Sequence, residues 1–337
     1  MTGWRARLRS GLPYVLGVGV IIALVLAVNP SRFAFAASRF DPIYAPLVAA
    51  LSLIYYLLQG IRWQPLLRAV GVRLRLRDTL VLNLAGQAAG LLPAGELTRA
   101  VLVSEVARVE VGKTTATITV QELIYTVLLI AAAVPGAFHR TIAAIGVSLA
   151  LVVIIAVTAI LTLHQLFEKI AAGVAKVRLL RRFVPDLLEL QRQTVNLLRR
   201  WDTLYWTPLS ALQVAVTITM FWLVIQALDP GRVSWATAAF AYGVAGVAGA
   251  LSLGPGGLGG FEAAGVGMLI VVGVPFQIAV AATVLQRIAD KGLATVYGGI
   301  LYIYARRHYQ LKNARVVRHG RRRNPGSSRR KSVRRKS

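Results

Sequence analysis

Apolar residues in this chain gather in long unbroken runs, not in the narrow stripes of water-soluble helices. Six runs, at 12–28, 43–60, 114–134, 142–163, 207–228 and 276–304, are long enough to cross a hydrocarbon core of ~30 Å as helices. Two further stretches are apolar but interrupted. Residues 79–110 break at Leu92-Pro93-Ala94-Gly95-Glu96, and residues 235–273 break at Gly254-Pro255-Gly256-Gly257-Leu258-Gly259-Gly260. Proline and glycine at membrane depth predict half-helices folded back as re-entrant hairpins, with Pro93, Gly95, Pro255, Gly256, Gly257 and Gly259 at the turns. The expected fold class is therefore all-α: a polytopic integral membrane protein with six full spans and two re-entrant hairpins. A plain count of eight spans is the other reading.

Composition agrees with a membrane chain. Of 337 residues, 56% are apolar before the 30 glycines are counted, and only 15% are charged. Mean hydropathy is +0.62. A chain this apolar cannot cover itself with polar surface, which excludes a soluble enzyme. The absence of cysteine removes disulfides, thiolate nucleophiles and iron–sulfur sites, and four scattered histidines argue against a metal site. No cofactor is expected.

The net charge of +26 changes the picture through its placement. Fourteen of the 39 basic residues lie between Arg306 and Lys336, beyond the last apolar run, and most others fall in 1–11, 61–78 and 164–206. The segments on the opposite side hold only Arg32, Arg39, Arg140 and Arg232. By the positive-inside rule both termini are then cytoplasmic, and the basic tail meets anionic headgroups rather than nucleic acid. The run at 12–28, behind Arg5, Arg7 and Arg9, reads as a retained anchor rather than a cleaved leader. Two units result: a transmembrane domain over 1–305, with an amphipathic cytoplasmic connector at 164–206 lying along the headgroups, and a low-complexity tail over 306–337 expected to be disordered.

The interrupted stretches resemble each other. Each has a Pro-Gly break, then Glu96 or Glu262, then Val-Gly, then a helix carrying Gln121-Glu122 or Gln286-Arg287. Repeats of opposite orientation around a midplane site are a common transporter plan. Glu96, Arg99, Glu122, Glu262, Arg287, Asp290 and Lys291 all fall in or beside apolar runs, where each ionised group costs ~2.5–3.5 kcal/mol on insertion scales. They are the candidate polar groove. Two roles stay open: ion pairs that lock the hairpins, or a path for a polar headgroup.

Soluble motifs fail on context. Gly254-x-Gly256-x-x-Gly259 follows a membrane segment rather than a strand, and Gly112-Lys113-Thr114 lacks the first glycine of a phosphate loop. No catalytic motif is visible, so the chain is not expected to be an enzyme.

The stretch Asn83-Leu84-Ala85-Gly86 through Pro93-Ala94-Gly95-Glu96-Leu97-Thr98-Arg99, the helix with Gln121-Glu122, and Gly256-Gly257-Leu258-Gly259-Gly260-Phe261-Glu262 followed by Gln286-Arg287 resemble the lysylphosphatidylglycerol synthase transmembrane-region family, a flippase-like domain of bacterial and archaeal membranes. The resemblance covers roughly 10–305 and implies a multi-pass plasma-membrane protein that moves a lipid between leaflets. The lipid would be an anionic or aminoacylated phospholipid, or a polyprenyl-linked one. Arg99 and Arg287 would hold phosphate, and the glutamates would meet amines or hydroxyls. Two-part members add a C-terminal aminoacyltransferase, for which this sequence has no counterpart; Leu123 and Asp290-Lys291 also depart from the family pattern. A membrane partner or scaffold of a lipid-modifying enzyme is the alternative, and self-association stays open.

Overall fold

Long apolar runs without water-facing stripes form helices because only a helix satisfies every backbone group within its own segment. The computed structural model describes residues 30–90, 95–137, 141–176, 184–252, 257 and 259–309, and the described residues contain helices and loops but no strand. The run at 12–28, the residues Pro93, Pro255 and Gly256, and the tail from 310 lie outside them.

The helices are α1 (Pro30–Ser38), α2 (Tyr44–Ala69), α3 (Leu76–Gly86), α4 (Thr98–Ala107), α5 (Val111–Ala137), α6 (Thr141–Thr162) and α7 (His164–Lys176). They continue as α8 (Val184–Leu198), α9 (Trp201–Tyr205), α10 (Thr207–Leu228), α11 (Trp235–Leu251), α12 (Gly260–Val271), α13 (Phe276–Arg287) and α14 (Leu293–His308). Among the described residues, four helices are long and apolar enough to cross a membrane: Tyr44–Ala69, Val111–Gly136, Ile145–Thr162 and Thr207–Leu228. They coincide with four of the expected spans. The last expected span is continuous but has a charged middle: α13 passes through a π-helical turn, Ile288–Gly292, into α14.

Both interrupted stretches are pairs of short helices. α3 and α4 have 11 and 10 residues, and α11 and α12 have 17 and 12. At 1.5 Å per residue these reach roughly 15–25 Å, less than the ~30 Å a full span needs. Within each pair the helices pack on one another.

The bundle has a centre and a rim. α10 has 72% of its apolar window buried and packs on α2, whereas α6 has 17% and turns Ile145, Leu149, Val152 and Ile155 outward. Those exposed residues recur every three or four positions and form an apolar face suited to lipid tails. α11 lies between α5 and α12, and α14 packs on α3.

Two sequence expectations change. Residues 61–69 continue α2 rather than beginning a cytoplasmic loop. Arg62 is 1% exposed there and its Nη1 donates to the Gln121 carbonyl at 3.0 Å, so that charge is buried and does not mark a loop. Within the connector, α8 packs on α5 and buries Gln191, Thr194 and Leu197, so that face of α8 is covered by protein rather than by headgroups. At the far end α14 runs to His308, and the hydroxyl of Tyr309 donates to Asp78 Oδ1 at 2.5 Å, clasping the end of α14 to the start of α3.

Candidate functional site

The first hairpin ends on an ion pair that its helices build together. Gly86 on α3 makes the approach: a Cβ there would stand 2.5 Å from the Cβ of Arg99, so only glycine lets α4 come this close. Arg99 is thereby set between α2, α3 and α5, fully buried. Its Nη2 donates to Glu122 Oε1 at 2.8 Å, and its Nη1 donates to Asn83 Oδ1 at 3.0 Å and Gln121 Oε1 at 3.1 Å. The guanidinium lies 5.2 Å from the Trp63 ring centroid. Around it run amide hydrogen bonds: Gln121 Nε2 to the Gln59 carbonyl at 2.8 Å, and Asn83 Nδ2 to the Tyr56 carbonyl at 3.0 Å. A buried guanidinium is tolerable because its Nη atoms meet acceptors and its charge meets a carboxylate, although its Nε finds no acceptor.

The second hairpin reaches the same end with signs exchanged. Gly257 and Gly259 adopt φ of +74° and +90°, the left-handed region that side-chain-bearing residues avoid. This turn starts α12, and Glu262 in its first turn reaches back to accept from the Gly259 N–H at 2.6 Å. That arrangement satisfies an orphan donor and places a negative charge at the positive end of the helix. The other oxygen of Glu262 accepts from Arg287 Nε at 2.6 Å. Glu262 is fully buried; the Arg287 side chain is 10% exposed and its guanidinium stands 4.3 Å over the Phe261 ring.

Glu122 and Arg287 follow matched glutamines in the two repeats, so the helix-borne member of each pair is negative in one and positive in the other. Their partners sit one helical turn apart in the repeat: Glu262 matches Glu96, whereas Arg99 comes three residues after Glu96.

Both helix-borne ions open into one cleft of about 400 Å³ between α2, α5, the second hairpin and the end of α13. α2 and α5 contribute Tyr55, Glu122, Tyr125 and Thr126; α11 and the turn after it contribute Tyr242, Ser252 and Gly257; Arg287, Asp290 and Lys291 complete the wall. Asp290 and Lys291 lie in the π-helical turn, a distortion that often re-aims side chains at functional sites. Asp290 Oδ1 accepts from the buried Tyr56 hydroxyl at 2.8 Å.

Of the seven charged residues read from the sequence, Glu122, Arg287, Asp290 and Lys291 line the cleft. Arg99 and Glu262 stand behind it, each fully buried against a lining residue. Arg99 lies behind Glu122, with its Nη atoms bonded to Asn83, Gln121 and Glu122. The side chain of Glu96 lies outside the described residues. Sequence reasoning did not single out Gln59, Arg62, Gln87 or the tyrosines Tyr55, Tyr125 and Tyr242. The first three carried a signal: polar residues three or four apart on otherwise apolar helices. Among the described residues no group of three or more acidic or histidine side chains could hold a metal ion.

No curated protein matches the chain. The family model described as lysylphosphatidylglycerol synthase TM region matches residues 14–298, taking in both hairpins, both ion pairs and the cleft. The chain is thus a multi-pass membrane protein that belongs to the lysylphosphatidylglycerol synthase transmembrane-region family, a family associated with lipid modification or translocation.

Proposed function

We propose that the protein is a lipid translocase of a prokaryotic plasma membrane, moving a polar headgroup between leaflets while the acyl chains stay in the bilayer. The observation that carries this is the cleft: four ionisable side chains and three tyrosines line one cavity inside a bundle whose rim is apolar. Ionisable groups at membrane depth are costly, and they characteristically border substrate paths. Here Glu122 and Arg287 each have a partner behind the wall and line the cleft. A headgroup entering there exchanges its hydration for those groups and for the hydroxyls of Thr126 and Ser252. Both termini face the cytoplasm in this reading, the basic tail rests on anionic headgroups, and the chain carries out no bond chemistry.

The test is leaflet exchange in proteoliposomes. Lipids labelled on an acyl chain are followed by membrane-impermeant quenching, with wild-type protein and with Arg287→Gln and Lys291→Gln. The expected result is protein-dependent exchange that both variants slow, in samples whose thermal melting shows them folded. Exchange at the protein-free rate by folded wild-type protein would overturn the proposal and leave the partner of a lipid-modifying enzyme as the reading to pursue.

A further inference from the structure

The charges lining the cleft cancel. Glu122 and Asp290 supply two negatives, and Arg287 and Lys291 supply two positives. The ions behind the wall, Arg99 and Glu262, cancel as well. This balance has a consequence for any guest. Inside an apolar bundle the effective dielectric is low, so an ion brought in alone needs a counter-charge that a neutral wall does not supply. A guest carrying its own counter-charge needs none.

The two signs are also distributed in a way that suits such a guest. Arg287 gives Glu262 only its Nε–H, so the four N–H groups on its Nη atoms are not used by that pair, and a guanidinium fork matches a phosphate. Opposite in charge are Glu122 on α5, whose side chain is 34% exposed, and Asp290 in the π-helical turn. Near them the wall carries the rings of Tyr55, Tyr125 and Tyr242. Carboxylates beside aromatic faces make a receptor for an ammonium group. The cleft is also within the size range of ordinary small-molecule sites, ~300–1,000 Å³.

We infer that the cleft selects phospholipids whose headgroup joins one phosphate to one ammonium, a zwitterion, over anionic phospholipids and over uncharged glycolipids. The inference deepens the translocation reading, and a binding measurement separates the two. Phosphate would meet Arg287 and Lys291; ammonium would meet Glu122, Asp290 and the tyrosines. An uncharged sugar headgroup would leave the four wall ions with no ionic partner from the guest.

The experiment pairs two readouts on the full chain. Native mass spectrometry of delipidated protein, offered equal amounts of phosphatidylethanolamine, phosphatidylglycerol and a glucosyl diacylglycerol, reads retention. Proteoliposome exchange of the same three lipids, acyl-labelled, reads transport. Expected is about a tenfold or greater preference for phosphatidylethanolamine in both, the scale set by one unbalanced charge at membrane depth. Asp290→Asn, which makes the wall net positive and keeps an acceptor for Tyr56, should shift the ratio toward phosphatidylglycerol; Lys291→Gln should shift it away. Equal or greater retention of phosphatidylglycerol or glycolipid by wild-type protein would overturn the inference, as would a ratio unmoved by Asp290→Asn in folded protein. Exchange of all three lipids at one rate would overturn selectivity and leave translocation standing. Selective retention without any exchange would support the selectivity and overturn translocation.

Discussion

The ion pair at the first hairpin buries its cation and shows the cleft an anion from α5; the pair at the second buries its anion and shows the cleft a cation from α13. In both, a short helix approaches over a glycine, plants one charged side chain in a fully buried position, and pairs it with an ion on a later helix. What differs is the sign, and the difference fixes the character of the cavity. Had both repeats carried the same polarity, Glu122 and its counterpart would have faced each other as like charges. With the polarity exchanged, the two helix-borne ions are Glu122 and Arg287, and Asp290 and Lys291 add one more of each sign. The hairpins also differ in what holds the hidden ion. Arg99 has three side-chain acceptors, whereas Glu262 has one guanidinium and a backbone N–H at the start of its own helix.

The comparison breaks most sharply at Arg99. Arg99→Met strips the buried partner from Glu122 and leaves Asn83 Oδ1 and Gln121 Oε1 without their donor, a loss of about 1–3 kcal/mol for each buried group left unsatisfied. Arg287→Met should cost less, because Glu262 keeps the Gly259 N–H and the positive helix end. Thermal melting of the two variants in one detergent checks the order, and an equal or reversed order would contradict the account.

A smaller difference is expected between the glycines that let the hairpins close. A Cβ at Gly86 would stand 2.5 Å from the Arg99 Cβ and 2.7 Å from its Cα, whereas at Gly249 it would stand 3.0 Å from the Phe261 Cβ. Overpacking costs ~1–3 kcal/mol, so Gly86→Ala should fall toward the upper end and Gly249→Ala toward the lower. Melting temperatures of the two single variants provide the check.

Exchanging the polarity of the first pair sharpens the electrostatic claim. Arg99→Glu combined with Glu122→Arg keeps a pair but turns the cleft wall net positive. The double variant should recover part of the stability lost in Arg99→Met while favouring anionic over zwitterionic lipid. Retained-lipid composition and melting temperature together read both effects.

The smallest effect is expected away from both hairpin turns, at the clasp between Tyr309 and Asp78. Burial, and then the hydrogen bond to Asp78, push the Tyr309 phenol above its ordinary value of 10. A raised phenol means that the folded state holds the proton more tightly than the unfolded state. The contribution is therefore complete at neutral pH and is lost as the pH rises above 10. Tyr309→Phe should lower stability by about 1 kcal/mol or less at pH 7 and flatten the alkaline limb of a melting-temperature profile.

Much of this architecture can be read along the chain, for reasons that are local. Run length separates α2, α5, α6 and α10 from the shorter helices, and Pro and Gly within apolar sequence mark both hairpin turns. Charges at membrane depth are rare enough that Glu122, Glu262, Arg287, Asp290 and Lys291 stand out one by one. Partner choice is not local. Arg99 lies three residues from Glu96 and Arg287 three from Asp290, yet the ion pairs observed join Arg99 to Glu122 and Arg287 to Glu262 across different helices. Spacing along one helix does not say which neighbour packs against it. Arg62 misleads for the opposite reason: it looks like a loop charge at the end of an apolar run, but the Gln121 carbonyl makes its burial tolerable. The tyrosines of the cleft are silent in sequence, since an aromatic in an apolar span reads as core until the cavity beside it is seen.

A stopper tests most directly whether a headgroup passes through the cleft beside Glu122 and Arg287. Ala250 lines the cleft, is exposed, and belongs to neither ion pair. Ala250→Trp should fill the cavity and leave both latches intact. Lipid exchange in proteoliposomes is then predicted to fall to the protein-free rate while the melting temperature stays near that of the wild type. Undiminished exchange by a folded Ala250→Trp protein would contradict the account and move the lipid path elsewhere on the molecule.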